Sequence, residues 1–377
     1  MRSDVLVIGG GVIGLAIARE AGRRGLRVTV VDRAECGREA SWAAAGMLGT
    51  QTETEHGGDF FELCRRSAAL FPALADELLD ETGIDVELDT AGTISVAFSE
   101  PELERLADST KWQREAGLRA DIISAADIRR AEPFISTDAA GGVFMPDDGQ
   151  VDNRRLVEAL RASAESAGVS IVENEEIAGL VTSGGAVTGA RSGTAVWEAD
   201  HTVVATGAWT SLIKLGEIGS LPEIKPIRGQ IAVYKTAKRL FTHVLHARGG
   251  YLVPRRDGRV LIGATAEDVG FDKSSTSAAG EWLRSVAVGT APGLANLSFS
   301  DGWAGLRPGT PDGDPMIGGF GGLEGLTLAV GHYRNGILLA PITAKMVADR
   351  ILGEYEYPIA NAFLPDRFRF RAVNEAR

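Results

Sequence analysis

The stretch 4–32, DVLVIGGGVIGLAIAREAGRRGLRVTVVD, constrains the fold more than any other part of the chain. Residues 4–8 form a short run rich in Val and Ile, the pattern of a strand buried on both faces. Gly9, Gly11 and Gly14 then give the G-x-G-x-x-G spacing, and Ile13, Ala16, Ile17 and Ala21 share one face of a following helix. A second apolar run, 26–31, ends at Asp32, which stands 18 residues after Gly14. Glycines at this spacing allow a tight turn, let backbone N–H groups approach a pyrophosphate, and bring helix and strand close together. The helix start adds its partial positive charge, and Asp32 stands where a carboxylate accepts hydrogen bonds from ribose hydroxyls. A glycine turn kept only for packing is the alternative. The complete series of strand, glycines, helix, strand and acid favours a dinucleotide site.

The rest of the chain bounds this reading. At 377 residues it suits about two domains, and 44% apolar with 24% charged residues is an ordinary globular balance. The net charge of −12 comes with no basic block, which argues against nucleic acid or an anionic membrane as partner. Cys36 and Cys64 form no CxxC or zinc-ligand pattern, so a reducing compartment is the simple reading. The first apolar run is interrupted by glycines and reads as part of the fold, not as a leader. No run of 18 apolar residues occurs, so stable membrane insertion is not expected. A cytoplasmic, acidic α/β protein is the expectation.

Periodicity supplies the elements. One amphipathic helix is expected over 59–82, strands around a turn at Ala91-Gly92 over 85–98, and helices over 100–115 and 124–132. A strand and turn follow over 141–151, then a helix capped by Asp152 and running to about Ala167. Strands are expected at 170–174 and from Ile177, with hairpin turns at Ser183-Gly184-Gly185 and Ser192-Gly193, and a buried strand at 201–206. Segments 230–234, 251–254 and 260–264 alternate like an antiparallel second sheet, and 280–288 reads as helix. Residues 302–318 read as a loop rich in Gly and Pro, 326–330 as a last buried strand, 336–352 as an apolar helix, and 365–377 as a charged tail. Buried strands that return after long excursions suggest a single parallel-type sheet assembled from separate segments.

Candidate chemistry is sparse. The small residues 43–47 suit either a tightly packed helix start or a backbone wall against a flat ligand. Arg307, beside Trp303, and Arg334, in GHYRNG, each offer a planar fork that matches a carboxylate. Each also suits a loop-bracing role, and Tyr251 suits a core position. The helix start at Gly336 repeats the layout of the first motif and could face a developing negative charge, an effect of roughly 0.3–2 kcal/mol. No G-x-S-x-G, HExxH or metal pattern is present, and His243, His246 and His332 read as structural. An enzyme of this composition would leave the difficult step to a cofactor.

Several segments together resemble the flavin-dependent D-amino acid oxidase and amine oxidase family: VIGGGVIG (7–14), SWAAAGML (41–48), PDDGQVD (146–152), VVATGAW (203–209), YLVPR (251–255), WAGLRPGTPDGDPMIG (303–318) and GHYRNGILLAP (331–341). The likeness runs through almost the whole chain and is greatest to the glycine-oxidising bacterial members that feed thiazole synthesis for thiamine. It implies non-covalent FAD, because the covalent members use a cysteine in the last third and both cysteines here precede residue 65. It implies a Rossmann-like α/β fold: an FAD domain from discontinuous segments (1–84, 145–215 and 325–365), a substrate domain with a large antiparallel sheet (85–144 and 216–324), and a tail (366–377). By resemblance, Gly9, Gly11, Val12, Ile13, Gly14, Asp32, Arg33 and Ile177 serve the adenosine and pyrophosphate. Ala40, Ser41, Ala45, Gly46 and Met47 line the flavin, with Gly207 also at the cofactor, and His332, Arg334, Asn335, Gly336, Ile337 and Leu338 wrap its pyrimidine end. Arg307, assisted by Tyr251 and Arg334, clamps a substrate carboxylate. The implied reaction is hydride transfer from the Cα of glycine, sarcosine or D-alanine to flavin N5, with no protein base. O2 reoxidation gives H2O2, and glycine gives glyoxylate and ammonia. A related dehydrogenase that hands electrons to a quinone is the alternative, and a homotetramer is the implied assembly. The chain departs from the family pattern at Gly249 and Gly250, which stand where the family member has a histidine just before the tyrosine, so the shape of that loop is open.

Overall fold

The computed structural model describes residues 2–214, 223–354 and 357–368. Strand β1 (Arg2–Ile8), helix α1 (Val12–Arg23) and strand β2 (Val28–Val31) form the expected opening unit. β1 runs parallel to β2, with Ile8 opposite Val31, and parallel to Val196–Val204 on its other side, with Ile8 opposite Val204. Ser170–Val172 extends the parallel set beyond β2, and Leu326–Val330 extends it beyond Val196–Val204. Met316–Gly318 and the hairpin Ile177–Ser183/Ala186–Ser192 add antiparallel pairs, completing an eight-stranded sheet. Val5, Val7, Val30 and Val203 are fully buried, which is why these strands read as continuous apolar runs.

α1 packs against the helices Asn153–Ser166 and Gly336–Leu352. Burial of Leu15 and Ile17 in that layer contributes roughly 1.5–3 kcal/mol each. Gly14 makes the close approach possible, because a Cβ there would stand 1.9 Å from the Gly9 carbonyl oxygen. Asp152 caps Asn153–Ser166 by accepting from the N–H groups of Arg154 and Arg155.

The second sheet has nine strands around Lys225–Lys235, which pairs antiparallel with Arg259–Gly263, Glu267–Asp268 and Asp301–Gly309. One pair departs from the antiparallel expectation: Thr93–Ala97 runs parallel to Val244–Ala247. Gly249 and Arg248, both at positive φ, make the turn between Val244–Ala247 and Gly250–Pro254, so the open loop is a two-residue hairpin that sets His246 opposite Tyr251.

Other expectations need correction. The 59–82 helix is two, Asp59–Ala68 and Phe71–Thr82, because Pro72 fits only the first turn of a helix. The 100–115 helix likewise divides into Glu100–Ser109 and Lys111–Glu115, with Thr110 between them donating its hydroxyl back to Leu106 O. Residues 85–91 form no strand; Asp85 and Asp89 accept from the N–H groups of Glu87 and Ala91, local turns that compete with a ladder. The expected loop 302–318 contains the strand Asp301–Gly309, at the sheet edge, where Pro308 costs no ladder bond. Asp121–Ser124 is a strand that periodicity missed. In the expected tail, Asp366 accepts from Gly321 N and Arg367 pairs with Asp312, while 369–377 lie outside the described residues.

Candidate active site

A cavity of about 760 Å³ opens at the carboxyl ends of the parallel strands, lined there by Ile8, Val31 and Val330 and farther in by residues of the second sheet. This is where ligands bind in open α/β sheets. At its first end Gly9 has φ +105°, and a Cβ there would stand 2.6 Å from Ala205 O. Gly11, the N-cap of α1, lacks a side-chain cap, and Val12 N donates to Ser41 Oγ at 2.9 Å. Asp32 Oδ2 accepts from Gly10 N at 2.6 Å and Oδ1 from Ala34 N at 2.9 Å. Burial raises this carboxyl above its ordinary value against those bonds. Each oxygen keeps a lone pair for a further donor. Arg33 lies over the Trp209 ring at 3.3 Å and pairs with Glu39 at 2.8 Å. Ile177 and Gly207 line the same end.

The middle wall is residues 40–47. The short helix Ala40–Ala43 ends where the small-residue run 43–47 begins, and that run turns through Gly46 at φ +73° and lines the cavity. Gly305 lets the edge strand approach it, since a Cβ there would fall 2.4 Å from Ala43 Cβ. Trp303 Nε1 donates to Ala43 O at 3.0 Å.

At the far end Tyr251 and Arg307 meet. Glycines make room for them: a Cβ on Gly263 would lie 2.3 Å from the Tyr251 ring, and one on Gly229 2.3 Å from the Arg307 guanidinium. Arg307 Nη1 donates to Thr265 O at 3.0 Å, and among the described residues no carboxylate pairs with it. Arg334 is engaged differently, with Nε and Nη2 donating to the two oxygens of Glu53 at 2.5 and 2.8 Å. Burial would raise the Glu53 carboxyl, but the Arg334 bonds and the charges of Arg334, His246 and Arg307 hold it below its ordinary value. Burial raises the Tyr251 phenol. His332 is buried, its ring bonded to Thr343 Oγ1 at 3.1 Å, and burial lowers it to about 3, so it is neutral. Asn335, Gly336 and Ile337 bring the start of Gly336–Leu352 to the cavity, without a side-chain cap.

The cavity thus collects Gly9, Gly11, Val12, Ile13, Asp32, Arg33, Ala40, Ser41, Ala45, Gly46, Met47, Ile177, Gly207, Tyr251, Arg307, His332, Arg334, Asn335, Gly336 and Ile337. Gly14 and Leu338 stand behind it, Gly14 against Gly9 and Leu338 in the core with its carbonyl bonded to Ser67. Sequence reasoning passed over Glu53, which lies in the polar run TETEH without periodicity. It also took His246 as structural; the ring is buried 6.0 Å from the Tyr251 ring, and its Nε2 has no hydrogen-bond partner among the described residues. Neither cysteine lines the cavity, and burial pushes the Cys36 thiol up to about 12. Among the described residues no side-chain group could hold a metal ion, and no helix is long and apolar enough to cross a membrane.

The site suits FAD: a glycine cradle that a Cβ would fill, an acidic strand end, uncapped helix starts at both ends and a wall of small residues between them. Comparisons agree. The family model described as FAD dependent oxidoreductase matches residues 4–350. A glycine oxidase of Pseudomonas aeruginosa is 37% identical over 94% of this chain and 96% of its own length. A bifunctional protein ThiO/ThiG of Synechocystis is 38% identical over 97% of this chain, which spans 54% of that longer protein. The crystal structure of glycine oxidase from Geobacillus kaustophilus superposes with a TM-score of 0.90 at 34% identity, covering 94% of this chain and 96% of that one. This chain belongs to the D-amino acid oxidase family of FAD-dependent oxidoreductases.

Proposed function

We propose that the chain oxidises glycine, and with it sarcosine and D-alanine, as an amine oxidase. The observation that carries the reading is Arg307: a guanidinium fork at the cavity with no carboxylate partner among the described residues, beside the Tyr251 hydroxyl. A free fork suits a small substrate carboxylate through two parallel hydrogen bonds. Arg334 assists by holding Glu53, which keeps the second cation of the pocket neutralised and leaves room for one carboxylate.

The segments 1–84, 145–215 and 325–365 would hold the cofactor, and 85–144 and 216–324 the substrate. Gly9, Gly11, Val12, Ile13, Asp32 and Arg33 would hold the nucleotide. Ala40, Ser41 and Ala45 to Met47 would hold the flavin face, and His332 to Ile337 its pyrimidine end. Bound FAD supplies a two-electron acceptor for a hydride from the substrate Cα and is reoxidised by O2 to give H2O2. Among the described residues no free base stands beside Arg307: Glu53 is paired, and burial lowers His246 below its ordinary value. The substrate amine must therefore arrive neutral, and turnover should rise with pH through the alkaline range. Glycine would yield an imine that water converts to glyoxylate and ammonia. A place in thiazole synthesis for thiamine, a cytoplasmic location and a homotetramer complete the proposal, with the ThiO/ThiG relative supporting the first.

Arg307→Ala tests the clamp. Loss of a charge-assisted pair worth roughly 2–4 kcal/mol should raise KM for glycine about thirty-fold or more. An unchanged KM would place the clamp elsewhere.

A further inference from the structure

We infer that Arg255, held in place by Asn153, is a positioning residue that turns the Gly46 N–H of the 41–46 wall toward the flavin and so sets its affinity for electrons. The inference rests on the reading that this wall faces the flavin. Arg255 stands at the end of Gly250–Pro254 in the second sheet and is 3% exposed. It reaches across to the parallel-sheet side, where Nη2 donates to Ala45 O at 2.8 Å and to Asn153 Oδ1 at 3.1 Å. Its Nη1 donates to Val151 O at 2.7 Å and to Gln150 Oε1 at 2.9 Å. Asn153 Nδ2 in turn donates to Ser41 O at 2.8 Å and Trp42 O at 3.0 Å.

The wall's carbonyls at Ser41, Trp42 and Ala45 are thus all engaged by these two side chains; the Trp42 and Ala43 N–H groups donate to Glu39 O, which leaves the Gly46 N–H as the wall's donor. A trans peptide points its N–H opposite to its C=O, so the hold on Ala45 O turns the Gly46 N–H toward the cavity. The Gly46 carbonyl is taken by Val151 N at 2.9 Å, and Val151 O, the position that would accept from Gly46 N in a ladder, is occupied by Arg255. Gly46 has no alternative there, because a Cβ would meet Val151 O at 2.0 Å. Among the described residues Arg255 Nε has no hydrogen-bond partner, and the carboxylate it faces, Asp152, lies 3.9 Å away and also serves Arg259 at 2.9 Å. A buried cation so weakly compensated, behind a donor aimed at an electron acceptor, favours the reduced, more negative form.

The test uses purified, FAD-loaded protein with the variants Arg255→Met, Arg255→Lys and Asn153→Ala, and Glu132→Gln as control. Glu132 is fully buried and bonded to His243, but does not line the cavity. The midpoint potential is measured by photoreduction against reference dyes, without an amine substrate. Arg255→Met should weaken reduced relative to oxidised flavin about tenfold, which for two electrons is about 30 mV. Its kcat should fall while KM for glycine stays within about twofold; Arg255→Lys should recover part of the potential, and the control none of the change. If Arg255→Met does not fold, Asn153→Ala carries the test, with a smaller shift of the same sign. Wild-type potential in both variants overturns the inference. Failure of glycine to reduce the wild-type flavin would instead overturn the substrate reading, and the photoreduction result would still decide the role of Arg255.

Discussion

Arg334 and Arg307 look alike in the sequence, yet their surroundings give them different work. Arg334→Ala should raise KM for glycine less than Arg307→Ala does, because it removes no free fork but leaves the buried Glu53 carboxylate unpaired. Breaking such a pair destabilises by about 3–5 kcal/mol when fully buried, and less here because Arg334 is partly exposed. Arg334→Ala combined with Glu53→Gln should therefore cost much less than the sum of the single changes in thermal unfolding. Additive losses would mean that the two residues act independently. The sequence shows a residue's chemistry but not its partner. Glycine spacing and Asp32 were legible because their geometry is local, whereas Glu53, His246 and Arg255 act through contacts with residues far away along the chain.

At the scale of elements, what was legible follows from periodicity, and what was not follows from where an element sits. The strands Val28–Val31 and Leu326–Val330 are buried throughout and the last helix nearly so, and the run 326–330 and the helix 336–352 stand where the apolar pattern put them. The strand Asp301–Gly309 was hidden by Gly and Pro, residues that an edge position tolerates and that the site requires. Gly305 is the sharpest case, since it lets the strand lie against the 40–43 helix. Gly305→Ala would place a methyl group 2.4 Å from Ala43 Cβ, and such overpacking costs roughly 1–3 kcal/mol. FAD should then bind about tenfold more weakly in a fluorescence titration, with Arg307 still able to bind a carboxylate inhibitor. Undiminished FAD affinity would show that the wall can move freely.

For the molecule as a whole, buried titratable groups set the response to acid. Burial lowers His201 to about 4, with its ring bonded to Thr327 Oγ1, and lowers His332 to about 3. In the unfolded chain both would protonate near pH 6.5, so the unfolded state binds more protons below that value. The stability they contribute is complete above pH 6.5 and is lost as pH falls through the folded values. Asp148 works the other way: burial raises it to about 6, so its contribution is complete below pH 4 and is lost as pH rises to 6. His201, His332 and His246, with carboxyls such as Glu53 held low, outweigh the raised Asp148 and Asp32 and leave a net loss on acidification. His201→Gln should flatten the fall in Tm between pH 6.5 and 4, by at most about 3 kcal/mol of stability. An identical slope in the variant would mean that His201 protonates in the folded state.

The central claim is that this chain brings a small amino acid to a flavin held between its two large sheets. Anaerobic mixing of the FAD-loaded protein with glycine tests it most directly, by following flavin absorbance and then admitting O2. The expected result is loss of the oxidised flavin bands, followed on oxygenation by their return with one H2O2 and one glyoxylate for each glycine consumed. Flavin that stays oxidised with glycine, sarcosine and D-alanine alike would contradict the claim.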